Sequence, residues 1–465
     1  MTGSAGAWAG EWRITPSLAV EETFTDNVAA APEGQEKTDF VTSVSPGLSV
    51  RGSGGRVSLN FDYALQRLVF LKDSSRNEFR HSLAGNGSAE IAKDVLFLNA
   101  QASISQQTVS NTGAVSASEL NDNPNRQTVQ TYSIGPIVRH RFGNWAEAEA
   151  TYNFTRTDVG GEAVSDSNVN SARATLRSGT RFSRFLWSLT GSRSETSRSS
   201  GASDNSRTTT IADLEYVVSR KVSMLAGIGF EKLKDATLTT EPDGLIWDAG
   251  LRLRPGPRTS LVVTYNDRYD DTSVGVDASY LLGSSTRISL TYSESIQTTE
   301  GQLSQDLEFV GVDDSGTLID TRTGLPFSAG DPAFGLTTNA FRQKRLSLSL
   351  SGSRRRNTFS LQGFRETRET DATGTEETSF GVTVGFSRRL SRRADTSLGV
   401  SYRNTDFGTA DGREDDFYSV SAGFTYRISQ GLNGALSYNL TKRDSTTGGN
   451  DLTENAVTVR VQKTF

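Results

Sequence analysis

From Asn455 to Phe465 the chain reads N-A-V-T-V-R-V-Q-K-T-F, with Val457, Val459 and Val461 alternating with Thr458, Arg460 and Gln462. A period of two is that of a strand with one apolar and one polar face. The same alternation recurs throughout. Leu96, Leu98, Ala100, Ala102 and Ile104 share one face, with Asn99, Gln101 and Ser103 on the other. Ala148, Ala150, Tyr152 and Phe154 oppose Glu147, Glu149, Thr151 and Asn153, and Leu346, Leu348 and Leu350 oppose Ser347, Ser349 and Ser351. Tyr418, Val420, Ala422, Phe424 and Tyr426 oppose Ser419, Ser421, Thr425 and Arg427. About 22 such segments can be counted, most of them about 10 to 14 residues long, which is enough to cross a bilayer at barrel tilt.

The connections between these segments alternate in length. Starting from a first strand at Trp12 to Phe24, the even-numbered links are tight: G-S-G-G near 52, A-K-D near 92, F-G-N near 142, P-G-P-R near 255, G-S-S near 283, R-R-R-N near 354, R-R-L-S-R-R near 388 and S-Q-G near 429. The odd-numbered links are mostly longer and polar: 26 to 38, 109 to 127, 158 to 167, 194 to 206, 235 to 244, 299 to 340, 406 to 415 and 443 to 454. Short periplasmic turns and long extracellular loops are the connection pattern of an outer-membrane barrel. The expected fold is therefore all-β: a transmembrane, antiparallel, up-and-down β-barrel of about 22 strands (20 to 24), residues 12–465, after a periplasmic tail at 1–11. An even strand count places both termini in the periplasm. The terminal Phe465 is the expected signal for the barrel-assembly machinery. The longest irregular stretch, 299–340, mixes acidic residues, Gly and Pro with Phe327 and Phe334; it is either a surface loop or a segment folded back into the lumen as a constriction.

Composition removes the competing classes. Apolar residues make up 34% of the 465, with 44 glycines, too little core material for soluble domains of this length. A barrel with a wet lumen needs only every second residue to be apolar. Disorder would lack the 23 Phe, 12 Tyr and 5 Trp that recur in phase with Val and Leu. No run approaches the length of a transmembrane helix. The start, M-T-G-S-A-G-A-W-A-G, has neither a basic nor an apolar leader region and reads as a mature or re-engineered start without its signal peptide. The absence of cysteine excludes disulfides, thiolate metal sites and covalent c-type haem, and a net charge of −5 gives no sign of nucleic-acid binding.

Neither catalytic nor cofactor chemistry stands out. The two histidines, His81 and His140, fall on the lipid side or at strand ends, which leaves no lumenal base for a serine nucleophile and no metal pair. The acidic pairs Asp313/Asp314 and Asp415/Asp416 lack calcium-loop spacing and read as solvated loop charge. What alternation does place together is a charged lumen lining: Asp62, Arg80, Glu90, Glu147, Glu149, Arg173, Arg177, Asp213, Glu215, Arg252, Asp277, Arg403, Arg427 and Arg460. Arginines at 354–356 and 388–393 sit in tight turns, as docking points for a periplasmic partner or as strand-end charges against edge pairing. Trp12, Trp145, Trp187 and Trp247 fall near strand ends, as in interfacial aromatic girdles.

Several stretches resemble the outer-membrane β-barrel proteins associated with PEP-CTERM and exopolysaccharide loci of Gram-negative bacteria. They are W-R-I-T-P-S-L-A-V-E-E-T-F-T-D-N-V from Trp12, D-F-V-T-S-V-S-P-G-L-S-V from Asp39, N-R-Q-T-V-Q-T-Y-S-I-G-P-I-V-R-H-R-F-G from Asn125, and R-T-G-L-P-F from Arg322 with A-F-R-Q-K-R-L-S-L-S-L-S-G-S-R-R-R-N-T-F-S-L after it. The resemblance implies an integral outer-membrane, porin-like channel for exopolysaccharide export, without active-site residues. It also implies outer-membrane lipid and lipopolysaccharide, polysaccharide substrate and periplasmic export proteins as partners. A sheath enclosing a partner protein, such as a cytochrome conduit or surface protein, and a general diffusion porin are the other two expectations.

Overall fold

The computed structural model describes residues 10–116, 120–161, 165–199, 204–268, 271–312, 318–321, 327 and 333–465. Most of the proposed N-terminal tail and the Asp313/Asp314 pair lie outside the described residues. Twenty-two strands form one closed antiparallel sheet. In chain order the strands of the first half are β1 (Glu11–Thr25), β2 (Asp39–Ser53), β3 (Val57–Phe70), β4 (Glu78–Ala92), β5 (Leu96–Thr108), β6 (Arg126–Phe142), β7 (Ala146–Val159) and β8 (Ser167–Ser178). Next come β9 (Phe185–Arg198), β10 (Asn205–Ser219), β11 (Val222–Lys234), β12 (Asp243–Gly256), β13 (Thr259–Arg268), β14 (Asp271–Leu281) and β15 (Thr286–Gln297). A helix, α1 (Thr299–Asp306), and a small separate hairpin, β16 (Val310–Val312) with β17 (Leu318–Asp320), interrupt the series. The wall resumes with β18 (Phe341–Arg354), β19 (Asn357–Thr370), β20 (Thr375–Arg389), β21 (Ala394–Asp406), β22 (Glu414–Ser429), β23 (Leu432–Ser445) and β24 (Leu452–Thr464).

Closure is made between β1 and β24. Val20 lies opposite Val461, Glu21 opposite Arg460 and Phe24 opposite Val457, so the apolar and polar faces stay in register across the seam. A one-residue slip would turn Arg460 into the lipid. Closing the sheet leaves no unpaired edge, the condition for a β-structure to exist in hydrocarbon. The Phe465 N–H adds a bond of 2.9 Å to the Pro16 carbonyl while its ring stays exposed.

The outward positions carry the exposed apolar residues, among them Ile14, Leu18, Val20, Leu189, Leu214, Val384, Val400 and Val459. Trp12, Trp145 and Trp187 lie at the short-turn end of this belt, and Trp247 near the other end. In the short turn between β22 and β23, Gly431 has a φ of +71°, and a Cβ there would stand 2.7 Å from the Thr464 carbonyl oxygen. Only glycine suits both the conformation and the approach.

Several long links prove shorter than alternation implies. Strand β9 runs to Arg198 and β10 begins at Asn205, and β23 and β24 extend to Ser445 and from Leu452. The outward faces near the long-loop ends of β7, β9 and β23 carry the pairs Arg156–Asp158, Arg193–Glu195 and Lys442–Asp444. Once the outward face leaves the lipid it need not be apolar, so hydropathy alternation stops before the backbone ladder does. Two further links at this end are also short, with β19 and β20 separated by 371–374 and β13 and β14 by two residues.

Candidate functional site: the lumen and its inward-folded segments

Along many strands, β1, β8 and β22 among them, the inward residues change from exposed at the short-turn end to buried at the long-loop end, whereas in β14 Asp271 at the long-loop end is exposed. In β1, Arg13 is exposed whereas Ala19, Glu21, Thr23 and Thr25 are buried. Arg173 and Arg177 are exposed in β8, but Ser167 and Val169 are buried. In β22 the same trend separates exposed Arg427 from buried Asp415. The half of the lumen next to the short turns is therefore open, and the other half is filled against most of the wall, the stretch from β13 to β15 excepted.

The filling comes from the long connections. Helix α1 packs against β6 and β7, and hairpin β16–β17 against β4. Leu303, Leu318 and Phe327 join Ala84, Val109, Val129 and Val159 in one apolar cluster, with Val310, Val312 and Leu336 packed on it. Burying those side chains stabilises the inward position through the same area-proportional effect that builds a soluble core. Glu300, in the first turn of α1, forms a forked pair with Arg198 of β9, Nε to Oε1 at 2.7 Å and Nη2 to Oε2 at 3.3 Å, with the two side chains 3% and 1% exposed. On the far side, Arg368 of β19 places its guanidinium 4.1 Å from the centre of the Phe334 ring and 4.3 Å from that of Phe341. It also donates to Gln302 at 3.3 Å and to Glu366 at 2.6 Å. One connection that touches β4, β9 and β19 can do so only through the barrel interior.

Two other connections complete the filling. Asn121 accepts from Arg80 of β4 at 3.0 Å through its carbonyl and from Arg126 of β6 at 3.0 Å through its side chain. Arg413 donates to the Thr112 carbonyl at 3.1 Å, and Arg443 of β23 to that of Gly113. The three segments are knitted by main-chain bonds: Leu336 N–H to the Val109 carbonyl at 2.8 Å and Asp122 N–H to the Val28 carbonyl at 2.9 Å. Val28 and Leu120 also pack with Val41, Leu68 and Phe70, an apolar patch on the inner wall.

The charged residues expected to line the lumen share the inward face and sort by height. Near the open end, Glu147 accepts from Arg141 at 2.8 Å and from Arg177 at 2.7 Å, Glu149 pairs with Arg139 at 2.7 Å, and Asp62 with Arg51 at 2.7 Å. Arg252 pairs with Glu215, Asp213 accepts from Ser188 at 3.0 Å, and Glu90 accepts from the Asp94 N–H at 2.6 Å. Arg460 meets Glu21 at 3.0 Å at mid-height, and Arg403 stacks 4.8 Å from the centre of the Phe417 ring. Arg173 lies across from Thr151 and Ser192, Asp277 across from Val262 and Thr291, and Arg427 across from Asn433. These groups line a wall and do not converge on a single point. Arg80 is built into the filling through the Asn121 carbonyl.

One expectation requires correction. Asp415 and Asp416 are not solvated loop charge. They belong to β22, where alternation sends them to opposite faces: Asp415 inward to Arg413 at 2.6 Å and Ser445 at 2.6 Å, Asp416 outward to Tyr402 at 2.7 Å and Asn404 at 3.0 Å. The inward set that sequence reading passed over includes Arg198, Glu300 and Arg368, together with Glu231 between Arg207 and Arg268 and Glu366 between Arg345 and Arg368. Alternation alone could have added the strand residues, but nothing local marks them as anchors. His81 and His140 face outward, against Tyr63 and Phe142 respectively. No group of three or more His, Cys, Asp or Glu that could hold a metal occurs among the described residues.

The family model described as "Putative beta-barrel porin 2" matches residues 2–292 and 356–465. The chain belongs to that family. This porin-family barrel is thus an outer-membrane protein of porin-like type, and its family is one of channels and not of enzymes. The match leaves out 293–355, the part that contains α1, β16 and β17. Among solved structures the barrel is similar to the ferric-catecholate import receptor Fiu of E. coli K12, with a TM-score of 0.54, 9% identity, and coverage of 97% of this chain and 81% of that one. It is also similar to the FrpB iron transporter of Neisseria meningitidis (TM-score 0.53, 10% identity, 97% and 82% covered) and to the siderophore receptor PirA of Acinetobacter baumannii (0.52, 10%, 97% and 80%). At these identities the likeness concerns the fold. No curated protein matches the sequence.

Proposed function

We propose that this porin-family barrel is a channel for export of a polysaccharide across the outer membrane, closed at rest by its own inward-folded segments. The observation that carries the proposal is the division of the lumen into an open short-turn half and a filled long-loop half, with the filling held by separable contacts. Twenty-two strands enclose a lumen wider than small-solute diffusion needs, so a barrel of this size requires a closure. The described parts of 299–340 supply one, and the family match leaves that stretch out. The resemblance of several strand and loop stretches to barrels of exopolysaccharide loci supports a polymer as cargo, delivered by periplasmic export proteins. A filled long-loop half counts against a sheath around a partner protein, which needs a through-going lumen, and against a constantly open diffusion porin.

The test is genetic. Removing the gene should abolish surface polysaccharide while small-solute uptake stays unchanged, and the intact gene should restore it. Normal surface polysaccharide in the deletion strain would refute the proposal.

A further inference from the structure

Charge is divided between the two ends of the barrel. In the ten short turns, Lys and Arg outnumber Asp and Glu eleven to one, Asp94 being the exception. In the links at the long-loop end, acidic residues outnumber basic ones twenty-two to five. A chain of net charge −5 thus has its basic residues concentrated in the turns that rim one end and its acidic residues in the links of the other, some of which, such as Glu300, are folded inward and paired.

The rim is most concentrated where β19 pairs with β20. That pairing sets the turns 355–356 and 390–393 side by side, with Asn357 opposite Arg388. The Arg356 guanidinium donates to the Leu390 carbonyl at 3.3 Å, fixing one turn against the other. Arg355, Arg356, Arg392 and Arg393 are exposed, and Asp395, 3.5 Å from Arg389, is the one carboxylate in the two turns and their adjoining strand ends. Further positive charge lies on the rim at Arg220, Lys221 and Arg258, beyond the uncharged turn 282–285. It also continues into the open lumen, where Arg287 and Arg427 are inward and exposed. Phospholipid headgroups can reach arginines on the outer side of the rim but not those inside the wall.

We propose that the short-turn mouth is a binding site for a linear polyanion, a polymer bearing carboxylate or phosphate groups, approaching from the periplasmic side. A ring of like charges around a low-dielectric opening focuses its field into the lumen and raises the local concentration of counter-charged polymer. Spaced arginines suit repeated anionic groups, each exchanging condensed counterions for a protein cation. The excess of acidic residues in the links of the opposite end disfavours the same polymer there, so capture is favoured at the short-turn mouth. This deepens the export reading and rests on it, naming an acidic polymer as the class of cargo.

The test uses the full chain in phosphatidylcholine nanodiscs, titrated calorimetrically with polygalacturonate and with neutral dextran of equal length. Polygalacturonate should bind, more weakly as salt rises, and dextran should not. The combined variant Arg356→Glu, Arg392→Glu and Arg393→Glu should weaken polygalacturonate binding at least about tenfold, and Arg220→Glu with Lys221→Glu should weaken it independently. Equal binding of dextran, or affinity unchanged in both variants, would overturn the inference. So would loss of polygalacturonate binding when phosphatidylglycerol is added to the disc, since the rim would then be a phospholipid site. If polygalacturonate binds as expected but the deletion strain keeps its surface polysaccharide, the export reading fails and the polyanion site stands; the reverse pattern refutes the site alone.

Discussion

Replacing Glu300 by alanine removes one half of an ion pair whose two side chains are 1% and 3% exposed. Arg198 would then lose its Glu300 partner while Asp204 and Asp235 still act on its charge, so the cost lies at the low end of that for breaking a buried pair, about 3 kcal/mol. The barrel wall cannot move Arg198 into water, but the 299–340 segment can leave and admit water to it. The cost therefore falls on the inward position of the segment. At about 1.4 kcal/mol per tenfold, the ratio of inward to released segment drops by about two orders of magnitude. The apolar cluster around Leu303 and the stacking on Arg368 still favour the inward position, so release is a shifted equilibrium and the barrel stays folded. The chain contains no cysteine, so a single Thr155→Cys reports on this site without background. Thr155 is 3% exposed and lies beneath Ser304, 3.5 Å away. A water-soluble maleimide should label it at least about a hundredfold faster with Glu300→Ala than without. The double variant Glu300→Ala with Arg198→Met should return the rate toward that of the parent. An unchanged labelling rate in a correctly folded Glu300→Ala barrel would refute the reasoning, because it would mean that the pair does not hold the segment.

Val459→Arg, outward and near the middle of β24, should destabilise the barrel in bilayers by about 2 to 4 kcal/mol on denaturant titration, whereas Thr458→Arg, inward and one residue away, should cost far less. Gly431→Val should lower the yield of heat-modifiable barrel on SDS gels, because the turn needs a φ of +71° and the new side chain would meet the Thr464 carbonyl. Deleting Phe465 should reduce assembly in cells more than refolding in detergent, if its exposed ring is read by the assembly machinery; equal losses in both would make it a structural residue instead.

The wall was legible in the sequence because lipid on one side and water on the other impose the period of two directly on the strands. The seam shows this well: Val457, Val459 and Val461 announce their face without reference to β1. The closure of the lumen was less legible. Arg198 and Glu300 stand 102 residues apart, and each looks like an ordinary charge until the fold brings them together. Helix α1 is eight residues long and weakly patterned, so its position depends on the barrel interior and not on its own periodicity. Phe327 and Phe334 were the one local hint, being too apolar for open coil, and both are buried. Asp415 was misread because the outward face of β22 is already polar at that height, which hides the strand from a hydropathy pattern.

Single-channel recording in planar bilayers tests the central claim most directly, comparing the full chain with a variant in which 299–340 is replaced by a short glycine-serine link. A filled long-loop half predicts near silence from the full chain and large, steady steps from the variant. Large, steady conductance from the full chain would contradict the account, because the inward segments would then leave the lumen open.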